Sequence, residues 1–202
     1  TSAGKYEPGT KEQPPKNFPK PLKPEQMGEK SVAGFYAAIG YMVASLEYFT
    51  GANDPEPLLQ VAADNQGNKI SPDNFRQVVE QRKSQKTWAE DLMMVAILDS
   101  PQPKIDGDTY TWNGKIKASN GSFIMFNGQV IDIPEDKKEE ESPAIFKGTY
   151  KGGTWLLQDP SAAGQSGSAQ NQQQGQNQGQ TPQQQAPQEG AGEGTSGNGG
   201  AQ

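Results

Sequence analysis

The sequence predicts an α+β fold: three N-terminal helices packed on an antiparallel sheet, carried between two low-complexity ends. Three observations predict it. Apolar residues keep a helical spacing up to about residue 83. The period changes to two from about residue 87. Residues 161–202 contain no Val, Ile, Leu, Met, Phe, Tyr or Trp, so they cannot bury enough apolar surface to offset chain entropy. The expected division is 1–24 as a disordered Pro/Lys-rich tether, 25–160 as the folded domain and 161–202 as a disordered Gln/Gly-rich tail. The central part has an ordinary size for a single core.

The arm before the domain carries Lys5, Lys11, Lys16, Lys20 and Lys23 among Pro14, Pro15, Pro19, Pro21 and Pro24. Proline forbids helix here and favours an extended chain, so the arm reads as a spacer several nanometres long. The first helix is predicted over about 28–50, with Val32, Phe35, Tyr36, Ile39, Met42, Val43, Leu46 and Phe49 on one face. Ala33, Ala37, Gly40 and Ala44 form a small-residue strip beside that face, suited to close approach of a backbone. Gly51 is the expected left-handed cap. Asn53-Asp54-Pro55 starts a short second helix through Leu58 and Leu59. Ser71-Pro72-Asp73 starts a third, with Phe75, Val78 and Val79 inward and Arg76, Glu80, Arg82 and Lys83 outward.

Residues 87–99 are expected to form the longest strand, apolar on both faces between Leu92 and Leu98 as in a strand covered on both sides. The alternation of Tyr110, Trp112, Ile116 and Ala118 runs unbroken through Asn113-Gly114. A turn there would mix the faces, so one continuous strand is predicted. At Asn127-Gly128 a two-residue turn sets Met125 against Val130 and Ile124 against Ile131, and a hairpin is predicted. Residues 134–142 read as a solvated charged loop, and a last hairpin turns at Lys151-Gly152-Gly153.

Composition narrows the chemistry. The formal charge is −6 with only two Arg, Arg76 and Arg82, which argues against nucleic acid as a partner. There is no His and no Cys, which removes thiol nucleophiles, imidazole bases, disulfides and the usual zinc ligand sets. No cofactor and no metal are expected. Asp106-Gly107-Asp108 lacks the rest of a calcium loop and reads as a turn. No apolar run reaches the roughly 20 residues of a membrane span. The chain begins at Thr1 rather than Met, consistent with an upstream segment removed or left out.

Helices followed by a curved antiparallel sheet that ends in Tyr150-Lys151-Gly152-Gly153-Thr154-Trp155 resemble the cone-shaped nuclear transport factor 2-like fold. More narrowly, the Pro-rich arm, Thr50-Gly51-Ala52-Asn53-Asp54-Pro55-Glu56-Pro57-Leu58 and Gly148 to Trp155 resemble actinobacterial surface lipoproteins of uncharacterised function. Asn65-Gln66-Gly67-Asn68 departs from that family, whose members often place a Cys pair there. The resemblance implies a cone-like domain, extracellular and anchored by a lipid-modified Cys just before Thr1. Membrane contact would then come through that anchor alone.

In a cone of this kind, candidate pocket residues are Tyr36, Tyr41, Glu47 and Tyr48 on the first helix, with Asp91 and Trp112 on the sheet. Glu47 or Asp91 would serve as a base only if buried among apolar groups, which raises a carboxylate pKa. The plainer alternatives are a solvated helix flank for Glu47, an exposed strand start for Asp91, and core packing for Tyr36 and Trp112. Trp88, Trp112 and Trp155 would make a sugar-stacking platform only on a shared exposed face. The leading reading is a tethered, non-catalytic binding or scaffolding domain whose partner is a protein or cell-envelope component. Two alternatives stand beside it: an isomerase-like or small-molecule pocket at Glu47 or Asp91, and a spacer or assembly protein acting through its Gln-rich tail.

Overall fold

Ser31 opens the main helix, its hydroxyl accepting the Gly34 N–H at 3.0 Å in a computed structural model that describes residues 4–161. These residues belong to one unit. The Gln/Gly-rich segment lies outside the described residues. Helix α1 spans Val32–Ala52 and is preceded by a 3-10 turn at Glu25–Gly28, so it begins later than the expected 28. Phe35, Ile39, Met42 and Val43 are buried and Leu46 and Phe49 partly buried, as the spacing requires, but Tyr36 is 61% exposed. By length and composition α1 does suffice to cross a membrane, contrary to expectation, although in this fold its Phe35 face lies in the core.

The left-handed cap of α1 is Asn53, at φ 55°, not Gly51. Gly51 is helical and buried because the Phe18 ring occupies the place a Cβ would take. Helix α2 spans Glu56–Leu59, with the Asp54 carboxylate accepting the Glu56 N–H at 3.0 Å. Helix α3, Asp73–Ser84, has no fully buried residue. It is joined to the end of α1 by Phe75 against Phe49, at 5.3 Å between centroids, and by Arg82. Arg82, expected outward, turns in and donates to the Phe49 and Thr50 carbonyls at 3.1 and 2.6 Å. The Thr50 carbonyl is an acceptor that the helix C-terminus leaves free, whereas the Phe49 carbonyl also accepts the Asn53 N–H at 2.9 Å.

The strands are β1 (Trp88–Ala89), β2 (Leu92–Leu98), β3 (Lys104–Asp106), β4 (Thr109–Asn120), β5 (Phe123–Phe126), β6 (Gln129–Asp132), β7 (Glu139–Lys151) and β8 (Thr154–Leu157). They make two antiparallel sheets, β1-β5-β6 and a curled β2-β4-β7-β8, with β3 also paired to β4. Strand β4 runs unbroken through Gly114, and the β5–β6 hairpin sets Met125 opposite Val130 and Ile124 opposite Ile131. Both follow the side-chain alternation of the sequence. The predicted 87–99 strand is instead split between the two sheets, and β7 is the longest. Residues 139–142 are not loop. They lie in β7, where Glu141 and Glu139 pair with Lys115 and Lys117 across the ladder at 2.6 and 3.0 Å.

The sharpest departure concerns β2. Its Leu92, Met94, Ala96 and Leu98 face inward, but Met93, Val95 and Ile97 are 60, 46 and 36% exposed, and the strand stands at the sheet edge. An all-apolar strand looks central to any pattern argument, because composition does not report which face finds a neighbour. The opposite edge, at β8, is covered: Leu157 donates to the Val61 carbonyl and accepts from Ala63 N–H, both at 2.7 Å.

The arm, expected to be disordered, is docked over residues 4–24. Glu7 and Lys16 exchange backbone hydrogen bonds, and Gly9 N–H donates to the Glu90 carbonyl at 2.7 Å. The Trp88 indole donates to Thr10 O at 2.8 Å, Lys11 lies over the Phe123 ring, and Lys20 pairs with Glu56. Phe18, buried against Gly51, packs edge-on to Tyr6 and Tyr48. Two aromatic anchors hold a segment that its average composition marks as free.

The core lies between α1 and the concave face of the curled sheet. Phe35 sits 5.0 Å from Trp155, 5.6 Å from Tyr110 and 6.3 Å from Trp112, while Phe146 stands directly across the ladder from Trp112. Trp155 is fully buried, its indole donating to the Glu29 carbonyl at 2.8 Å, and Trp112 is 5% exposed. No exposed tryptophan platform forms from these two. Rings fill the interior of the cone.

Candidate functional site

Beside the filled interior, α1 and the edge of β2 enclose a groove of about 350 Å³. The inward side chains of β2 form its floor, and the small residues Gly40 and Ala44 of α1 form its wall. A Cβ placed on Gly40 would meet nothing within 4 Å. The strip expected to admit a close backbone therefore borders open space. Tyr36 stands at the rim, its ring 6.2 Å from that of Trp112. Among the described residues, no ionisable side chain except the Tyr36 phenol lines the groove.

The candidate residues divide into three places. Tyr36 and Trp112 come together, but the Trp112 indole N–H is committed to the Ser100 carbonyl at 2.8 Å. Glu47 lies near Asp91 and Tyr6 beyond the end of the groove, and its carboxylate accepts the Met94 backbone N–H at 2.7 Å. Partial burial pushes its pKa up, opposed by the Met94 hydrogen bond and helped by the negative charge of Asp91. Asp91 is exposed and accepts the Tyr6 hydroxyl at 2.6 Å and its neighbour Leu92 N–H at 3.0 Å. Burial and the adjoining Asp91 push the Tyr6 phenol well above its ordinary range. Tyr48 is elsewhere, donating to Asp54 at 3.3 Å, and Tyr41 is buried. Burial raises the pKa of both phenols.

This arrangement offers a non-polar groove and a backbone edge, with each carboxylate already engaged. Chemically it is suited to holding an extended or apolar group. Ala96 and Leu98 were not singled out from the sequence as contact residues. The available signal was a strand apolar on both faces, which also suits a surface reserved for another molecule.

Fold and groove thus define an α+β half-barrel with a curled antiparallel sheet and a lateral apolar groove. The chain belongs to DUF6318, a family of unknown function, whose sequence profile matches residues 4–161, docked arm included. No curated protein matches the chain. Among solved structures, it is similar to AclR from Streptomyces galilaeus at 12% identity and a TM-score of 0.34, over 63% of this chain and 78% of that one. It is also similar to the intermembrane-space region of the chloroplast protein ARC6, at 9% identity and a TM-score of 0.36, over 62% of this chain and 88% of that one. A variant of Rd1NTF2 aligns at 13% identity and a TM-score of 0.29, over 57% and 88% of the two chains. At these scores the likenesses are distant and carry no argument about activity or partner.

Proposed function

We propose that this chain is a non-catalytic binding or scaffolding domain, held outside the cell by a lipid anchor preceding Thr1, and that it presents the groove between α1 and β2 to its partner. One observation carries the binding half: aromatic rings occupy the cone interior where a substrate would lie, while the groove beside it stays open. The anchored half rests on the resemblance of the arm and the Thr50–Leu58 turn to surface lipoproteins. Because the arm is docked, such an anchor would hold the domain close to its membrane rather than several nanometres away.

The pocket reading, with Glu47 or Asp91 as base, has the raised pKa of Glu47 in its favour. Against it, Glu47 is bound to Met94 N–H and Asp91 to Tyr6, and neither lines the groove. The reading that gives the role to the Gln-rich tail concerns residues outside the described part.

Affinity capture from envelope extract tests the binding reading. The intact chain should enrich a component that an unrelated acidic domain does not, and Gly40→Leu, which fills the groove, should lose it. Recovery no better than background contradicts the proposal. Labelling of the natural precursor with a radioactive fatty acid tests the anchor, and absence of label contradicts it.

A further inference from the structure

Among the described residues, strand β2 has one paired edge and one free edge. Asp99 N–H donates to the Asn113 carbonyl on β4, and antiparallel ladders alternate, so Met93, Val95 and Ile97 turn their backbone groups to β4. Leu92, Met94, Ala96 and Leu98 turn theirs outward. The Leu92 N–H is taken by Asp91 and the Met94 N–H by Glu47. For Ala96 and Leu98 N–H no partner is found among the described residues. Folded proteins protect such an edge with Lys, Pro, a bulge or a covering segment. Residues 61–63 cover the β8 edge of this sheet, yet Leu92–Leu98 contains no charge, no proline and no bulge.

The groove adjoins this bare stretch, so a strand added there would set alternate side chains against Gly40 and Ala44. Charge then selects among occupants. Glu47, Glu90 and Asp91 crowd one end of β2, and exposed Asp99 lies at the other. Asp99 is near Lys115, but that lysine is paired with Glu141, which leaves the group net negative. In a symmetric pairing with a second copy, the Asp91 end of one strand would meet the Asp99 end of the other, acid against acid. Each copy would also bring a Met94 N–H already held by Glu47.

We propose that the free edge of β2 at Ala96 and Leu98 takes up an extended segment of a partner protein as an added strand, apolar at its centre and basic at both ends. This rests on the binding-domain reading and names the chemistry of the partner. The test uses the isotope-labelled full chain and two synthetic peptides of alternating Val and Thr, one with two Lys at each end and one with two Glu. The Lys-flanked peptide should shift the Ala96 and Leu98 amide resonances and slow their exchange, with at least tenfold weaker response to the Glu-flanked one. Gly40→Leu should abolish the response while the Trp112 and Trp155 indole signals stay in place. Ala96→Pro, which deletes one edge donor where proline is tolerated, should do the same if Gly40→Leu fails to fold.

Silence of both amides, equal response to the two peptides, or binding retained by Ala96→Pro overturns the proposal. So does sedimentation of the free chain as a dimer that Gly40→Leu dissociates, because a second copy then holds the edge. If envelope capture persists while the peptides fail, the edge assignment falls and the binding-domain reading stands.

Discussion

Gly51 shows how one residue can couple two distant parts of the chain. As a helical glycine it costs α1 about 1 kcal/mol relative to alanine, yet the Phe18 ring needs its missing side chain. Burying a phenylalanine is worth about 1.5–3 kcal/mol, so the contact outweighs the propensity. Gly51→Ala should therefore lower stability by about 1 kcal/mol and free the arm, and trypsin should cut after Lys16 earlier than in the parent chain. A rise in Tm with unchanged cleavage contradicts this. Glu47 works by a different balance. Its folded pKa is raised, so protonation favours the folded state. The resulting stability is fully present below the ordinary glutamate value of 4.5 and is lost as pH rises through the raised folded value. Glu47→Gln keeps an acceptor for Met94 N–H and should flatten that acid-side gain without loss at neutral pH. Glu47→Ala should cost about 0.5–1.5 kcal/mol, the usual net worth of one hydrogen bond. Urea denaturation across the acid range measures both.

At the level of elements, β2 depends on β4 alone within its sheet. They approach closely at Gly114, where a Cβ would meet the Ile97 carbonyl. Gly114→Ala should push β2 away, costing about 1–3 kcal/mol as other overpacked sites do, and hydrogen exchange should show Val95, Ile97 and Asp99 amides losing protection before those of β7. Equal protection in the variant contradicts the close approach. Periodicity made several elements readable: α1, the unbroken β4 and the β5–β6 register follow from which side chains must share a face. Strand order did not follow, because Leu92–Leu98 carries the same apolar pattern whether its outer face meets protein or water. The turned-in Arg82 was equally hidden, since the carbonyls it satisfies lie more than thirty residues away.

For the whole molecule, the arm and the groove alter what the domain is expected to do. Residues 4–24 looked free because prolines and lysines dominate their average, but Tyr6 and Phe18 with a few backbone bonds dock the segment. Of the candidate residues, Tyr36 meets Trp112 at the groove rim although its spacing placed it on the buried face of α1, and Glu47 lies near Asp91. The groove itself depends on β2 being an edge, which no local pattern discloses. Among the described residues nothing pairs with the β2 edge at Ala96 and Leu98, and the proposal gives that edge to a partner strand. Residue-resolved hydrogen exchange of the free protein tests it most directly. Ala96 and Leu98 amides should exchange close to the solvent rate while Val95, Ile97 and Asp99, one residue away on the same strand, stay protected; uniform protection along β2 would contradict the account.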